Sequence, residues 1–165
     1  MSIGVEQLRK VTLLAAFTDP ELAKLASLGK MVKCEPFTNI VIEGELSWGM
    51  YLVVEGQVGI YKVNKLSGNI YDVGQLQGGS FFGEMSLVDQ QPRSATVQSL
   101  TACSLFHIGK QEFRSLLEAN PGLRVRFYES CVEQLVGRLR TLNDDYVVSQ
   151  YQLWKKALKS GQEAA

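Results

Sequence analysis

The spacing of apolar residues divides the chain into a helical start, a strand-rich middle and a helical end. Over Val5 to Ala16, apolar side chains fall at Val5, Leu8, Val11, Leu14 and Ala15, close to helical spacing, and predict one helix. Thr18-Asp19-Pro20 reads as a cap with proline near the first helical position. Leu22, Leu25, Ala26 and Leu28 continue on a second short helix that Gly29 can end.

From Met31 to Ile108 the period changes. Short runs rich in Val, Ile, Phe and Tyr predict strands at Asn39–Ile42, Met50–Val54, Gln57–Val63, Ile70–Leu76, Ser94–Val97 and Cys103–Ile108. Glycines between them supply turns, and Lys65-Leu66-Ser67-Gly68-Asn69 reads as a hairpin loop. Strands of this length and spacing predict a β-sandwich or barrel.

After Lys110 the helical period returns. Phe113, Leu116 and Leu117 lie on a short helix that stops near Asn120-Pro121. Tyr128, Val132, Leu135, Leu139, Leu142 and Tyr146 then form a heptad-like seam on a longer helix, and the register shifts to Val147, Tyr151, Trp154 and Leu158. The predicted division is residues 1–30 for N-terminal helices, 31–109 for the strand-rich unit and 110–165 for C-terminal helices.

Composition narrows the function. The 165 residues are 45% hydrophobic and 21% charged, with 17 basic and 17 acidic side chains, so a packed core is expected and nothing favours nucleic acid or an anionic membrane. Disorder is expected only near Gln162-Glu163-Ala164-Ala165. Cys34, Cys103 and Cys131 match no metal-ligand spacing, and an odd count fits a disulfide framework poorly. Reduced thiols and a cytoplasmic setting follow as the expectation. The N-terminus lacks a signal-peptide pattern, and no apolar stretch reaches membrane-span length. A hydrolase elbow, a phosphate-loop lysine motif and a histidine cluster are all missing from the sequence, so it reads as no enzyme, with no cofactor and no metal.

Phe81 to Val97 carries the chemistry. Its pattern is two strands flanking a glycine that opens a short helix from Glu84 to about Val88. The first amides of such a helix are unpaired and suit an anion, and Gly83 has no side chain to block a phosphate. Arg93 adds a planar, permanently charged fork that matches phosphate oxygens. The Glu84 carboxylate would repel a phosphate beside it and is suited instead to accept a hydrogen bond from a sugar hydroxyl. A ligand with an anion and a hydroxyl a few ångströms apart would use both residues.

Phe82-Gly83-Glu84-Met85-Ser86-Leu87, followed by Pro92-Arg93-Ser94-Ala95-Thr96-Val97, resembles the phosphate-binding cassette of cyclic-nucleotide-binding domains. That family includes protein kinase A regulatory subunits, cyclic-nucleotide-gated channels and catabolite-activator-type regulators. The resemblance extends to Gly49–Val58, similar to the family's strand-turn-strand segment. It implies a mainly β fold with flanking helices: an antiparallel, jelly-roll-like β-roll with N-terminal helices and a long C-terminal helix. It implies a cAMP or cGMP ligand, with Glu84 on the ribose 2′-hydroxyl, Arg93 on the cyclic phosphate, and Gly83, Met85 and Ser86 lining the sugar-phosphate. Ser94 would reach the phosphate or a guanine amino group, Ala95 would follow in the ligand-binding run, and Val73 would pack on the base. A cap on the purine would come from Leu139, Leu142 or Asn143.

The implied output is movement of the C-terminal helix toward a separate protein partner, with homodimerisation through the same helix a further expectation. Two other readings stay open at this point: a β-roll interaction module without a nucleotide, and a fragment of a larger channel or transcription regulator. His107, the sole histidine, is read as structural.

Overall fold

A computed structural model describes residues 3–89 and 91–162, so Gln90 of the cassette and residues 163–165 of the expected disordered end lie outside the described residues. Residues 1–127 and 128–165 form two units.

The first unit opens with α1 (Val5–Arg9), a 3-10 turn at Thr12–Leu14 and α2 (Asp19–Leu28). The single helix expected over Val5–Ala16 is therefore two pieces. The break falls where the Thr12 amide donates to Gly79 O at 3.1 Å instead of to its own helix. Leu8, Val11, Leu13 and Leu14 are all buried, so the apolar periodicity reported burial correctly while the backbone changed pitch. α2 starts as expected: the Thr18 amide donates to Glu21 Oε2 at 2.8 Å, one half of a capping box.

Among the described residues eight strands follow: β1 (Gly29–Cys34), β2 (Asn39–Val41), β3 (Gly49–Glu55), β4 (Gln57–Val63), β5 (Ile70–Gln77), β6 (Phe81–Phe82), β7 (Thr96–Ser99) and β8 (Cys103–Gly109). They form two antiparallel four-stranded sheets in the orders β1-β8-β3-β6 and β2-β7-β4-β5. This is an antiparallel β-roll with N-terminal helices and a long C-terminal helix. Val53, Val58, Val97 and Leu105 from both sheets meet in its core with Phe82.

Two strand expectations need correction. β1 begins at Gly29 itself, directly after α2, and the strand was not anticipated. Its half-buried residues give no clean alternation, and Gly29 reads as a helix stop. A Cβ at Gly29 would collide with the Phe106 ring and the His107 carbonyl, so the glycine permits the close pairing with β8. The strand expected at Ser94–Val97 is instead Thr96–Ser99. Arg93 and Ser94 are taken out of the ladder by contacts to the β2–β3 loop and to Lys62.

Between β6 and β7 lies α3 (Met85–Val88), and β8 runs into α4 (Lys110–Ala119) and α5 (Pro121–Gln162). Phe113 of α4 meets Phe127 of α5 edge-on at 4.8 Å within the first unit. The second unit is the continuation of α5. There Val132, Leu135, Leu139, Leu142 and Tyr146 are exposed, and the Tyr151 and Trp154 rings lie 6.3 Å apart.

Candidate functional site

The site is assembled by the turn between β6 and α3 and by the segment leading into β7. Phe81 and Phe82 are buried and pair with Leu52 and Tyr51 of β3, which anchors the turn to the first sheet. Gly83 then adopts φ +83°, the left-handed region that side chains disfavour. Glu84 returns to helical geometry as the N-cap of α3, and its side chain is buried at 3% exposure. Ser86 is also buried: its Oγ donates to Gly83 O at 3.0 Å and pairs with Ser47 Oγ at 2.5 Å.

Arg93 is fixed at both ends. Its amide donates to Glu45 O at 2.8 Å, and its carbonyl accepts from the Gly44 amide at 2.9 Å. Its side chain is buried at 8% exposure, a rare state for arginine. Nη2 donates to Gly49 O at 2.7 Å, Nη1 to Gly83 O at 3.5 Å, and Cζ lies 5.9 Å from the centre of the Tyr51 ring. A Cβ at Gly83 would fall on Nη1. The glycine therefore serves two needs at once, the turn and the space for the guanidinium. Burial pushes the Arg93 pKa down, while Tyr51, Glu84 and Glu45 pull it up. The fork is a buried cation held by main-chain carbonyls, with the Glu84 carboxylate in its electrostatic range.

The remaining cassette residues are more open. Met85 and Ser94 are exposed, and Ser94 Oγ lies 3.7 Å from Met85 Sδ. Ala95 is half-buried beside it. The Ser94 carbonyl accepts from Lys62 Nζ at 2.5 Å, and Lys62 also reaches Glu43 Oε1 at 2.8 Å. Glu43 Oε2 accepts from the Val63 amide at 3.0 Å, and the Lys62 bond leads the effects that hold the Glu43 carboxyl below its usual range. A cleft of about 550 Å³ opens beside Pro92, Arg93 and Ser94, walled by Glu43, Gly44, Lys62, Val63 and Lys65. That volume lies within the range of small-ligand pockets.

The structure thus brings Gly83, Glu84, Met85, Ser86, Arg93 and Ser94 into one neighbourhood. Val73 lies on β5, more than half exposed, as the extra residue of a bulge: Ile60 pairs with Gly74 and Tyr61 with Asp72. Leu139, Leu142 and Asn143 lie in the second unit and are exposed. Sequence reasoning missed Gly49, Tyr51, Lys62 and Glu43 as neighbours of the cassette. Their only signal is that Gly49 and Tyr51 fall in the segment that resembled the family. His107 is half-buried against Tyr51, and no cluster of three or more metal-ligating side chains occurs among the described residues. No described helix is long and apolar enough to cross a membrane.

Comparison with known proteins agrees with this fold. A family model described as the cyclic nucleotide-binding domain matches residues 31–120. The chain is 29% identical over 119 residues to the cAMP-activated global transcriptional regulator CRP of Salmonella typhimurium, covering 72% of this chain and 56% of that protein. The chain thus spans little more than half the length of that curated relative. Among solved structures, the regulatory domain of Toxoplasma gondii PKA, co-crystallised with cAMP, superposes with a TM-score of 0.63 at 28% identity. The match covers 68% of this chain and 42% of that one. The Thermus thermophilus catabolite activator protein shares the fold with a TM-score of 0.71 at 23% identity, over 83% of this chain and 62% of that one.

Proposed function

The chain belongs to the cyclic nucleotide-binding domain family, and from that premise we propose that it is a cAMP or cGMP sensor that acts by binding rather than by turnover. One observation carries the reading: a buried arginine and a buried glutamate flank a glycine whose missing side chain makes room for the guanidinium. Burying a guanidinium costs free energy that main-chain carbonyls only partly offset. A cyclic phosphate at Arg93 would add the full opposite charge. Glu84 would take a ribose hydroxyl, as an acceptor that an isolated anion site does not need. Gly83, Met85, Ser86, Ser94 and Ala95 complete the ligand-binding run, and Val73 is assigned to the base.

The output is assigned to the long helix. Residues Val132 to Leu158 expose apolar side chains at helical spacing, which suits a separate protein partner or a second copy of the chain. Leu139, Leu142 or Asn143 would cap the base in the bound state. Residues 1–30, 31–109 and 110–165 then serve as support, receptor and output. The odd cysteine count is the ground for assigning a reducing, cytoplasmic setting.

Calorimetric titration of cAMP and of cGMP into ligand-free protein tests the reading, with Arg93→Ala as control. One-to-one binding that Arg93→Ala weakens at least tenfold is expected, since charge-assisted bonds are the strong ones. No binding of either nucleotide by folded protein would refute it.

A further inference from the structure

The register of the first sheet builds a row of side chains that ends at the cassette. Lys30 of β1 stands opposite His107 of β8, His107 opposite Tyr51 of β3, and Tyr51 opposite Phe82 of β6. Gly83 and the turn follow directly. Within this row the Tyr51 ring stacks on Phe82 with centroids 5.1 Å apart and planes 12° apart. On its other side lies His107, at 4.7 Å and 48°. Tyr51 is thus held between two rings on the two neighbouring strands, and Arg93 Cζ lies 5.9 Å from its centre.

The Arg93 guanidinium is itself buried, which disfavours its charged form, with Glu84 and Glu45 acting the other way. Burial raises the Tyr51 hydroxyl pKa, and Arg93 acts against that rise.

A long, flexible arginine loses rotamer entropy when it is fixed on a ligand. A guanidinium held within about 6 Å of an aromatic ring centre and bonded to two carbonyls has lost part of it beforehand. We propose that Tyr51, clamped between Phe82 and His107, is a positioning residue that holds the Arg93 guanidinium ready for the ligand phosphate. This rests on the nucleotide reading above. It adds that affinity depends on a side chain outside the cassette, set by strand pairing in the opposite sheet edge to β1.

The role requires the ring and not the hydroxyl. Tyr51→Phe should bind cAMP within about twofold of wild type, whereas Tyr51→Leu should weaken it about fivefold, the scale of a partly desolvated cation–π contact. Phe82→Leu, which frees one side of the clamp, should lie between them. A second readout needs no nucleotide: hydrogen exchange of the Arg93 Nε–H, followed by nitrogen-15 NMR. It should be slow in wild type and Tyr51→Phe and several-fold faster in Tyr51→Leu.

Circular dichroism and the backbone amide spectrum identify any variant that fails to fold, in which case Phe82→Leu carries the comparison. Wild-type cAMP affinity in folded Tyr51→Leu, with binding lost in Arg93→Ala, would overturn the proposal and leave Tyr51 as core packing. Should wild type bind neither cAMP nor cGMP, the nucleotide reading falls. The exchange arm then decides the contact alone, and unchanged Arg93 exchange in Tyr51→Leu sinks it.

Discussion

Gly83 and Arg93 occupy one space: a side chain on the first would displace Nη1 of the second. At φ +83° the glycine is also in a conformation that costs an alanine about 1–2 kcal/mol. Gly83→Ala should therefore be destabilised by about that amount or more in urea unfolding. It should also bind cAMP more weakly than the stability loss alone explains, because Arg93 must move. Equal affinity in the folded variant would show that the Arg93 position seen here is not the binding position.

Glu84 makes a separable prediction. It is buried, and its proposed partner is a sugar hydroxyl. A hydrogen bond to a carboxylate contributes about 1.5–3 kcal/mol, roughly ten- to a hundredfold in affinity. Wild type should prefer cAMP to 2′-deoxy-cAMP by that factor, and Glu84→Ala should bind the two alike. This is a double-mutant cycle across the ligand boundary, and it reads the coupling directly. A preference that survives in Glu84→Ala would assign the hydroxyl to another group.

The two predictions draw on parts of the site that differ in how legible they were. Gly83, Glu84 and Arg93 stand out in the sequence because they fall inside two runs, Phe82–Leu87 and Pro92–Val97, that resemble the phosphate-binding cassette of the family; alone, each reads as an ordinary turn, helix-start or surface residue. Their burial was not legible, nor was the use of Arg93 donors on Gly49 and Gly83 carbonyls, because those contacts span 44 and 10 residues. Tyr51 and His107 look like ordinary strand residues until the register of β3, β6 and β8 is known. Lys62 reads as the charged end of a hairpin strand, and only folding brings it to the Ser94 carbonyl.

The fold followed the same rule. Strands β3, β4, β5 and β8 announced themselves by apolar runs between glycines. β1 did not, since its half-buried residues carry no alternation and its first residue also ends a helix. The broken first helix was invisible because a 3-10 turn and an α-helix can bury the same leucines. The seam of α5 was plain from spacing. Periodicity marks the apolar face and does not encode what covers it.

Glu21 supports the roll from outside the site. Its Oε2 accepts from the Thr18 amide at 2.8 Å at the start of α2, and its Oε1 pairs with Arg126 at the start of α5. Glu21→Ala removes a cap and leaves a half-buried guanidinium without that carboxylate, at a cost of about 2 kcal/mol. Glu21→Gln keeps an acceptor for the cap and should lose about half as much. Urea midpoints of the two variants check this. Equal losses would place the whole effect in the ion pair.

His107 couples folding to pH near neutrality. Its pKa lies below the ordinary value of 6.5, chiefly because burial disfavours the charged form, and also because Lys30 and Arg93 repel a proton; Glu112 acts the other way. The unfolded chain therefore binds a proton more readily than the folded one. Stability from this residue is fully present above the unfolded pKa of 6.5 and is lost as pH falls through the depressed folded value. His107→Gln should remove that share of acid sensitivity, so its unfolding free energy should change less than that of wild type from about pH 7.5 to about pH 5. Because protonated His107 sets a second cation against the Tyr51 ring that Arg93 also faces, wild-type cAMP affinity should change over the same interval. In His107→Gln the affinity should stay flat. Parallel pH profiles in the two proteins would place the titrating group elsewhere and detach His107 from the cassette.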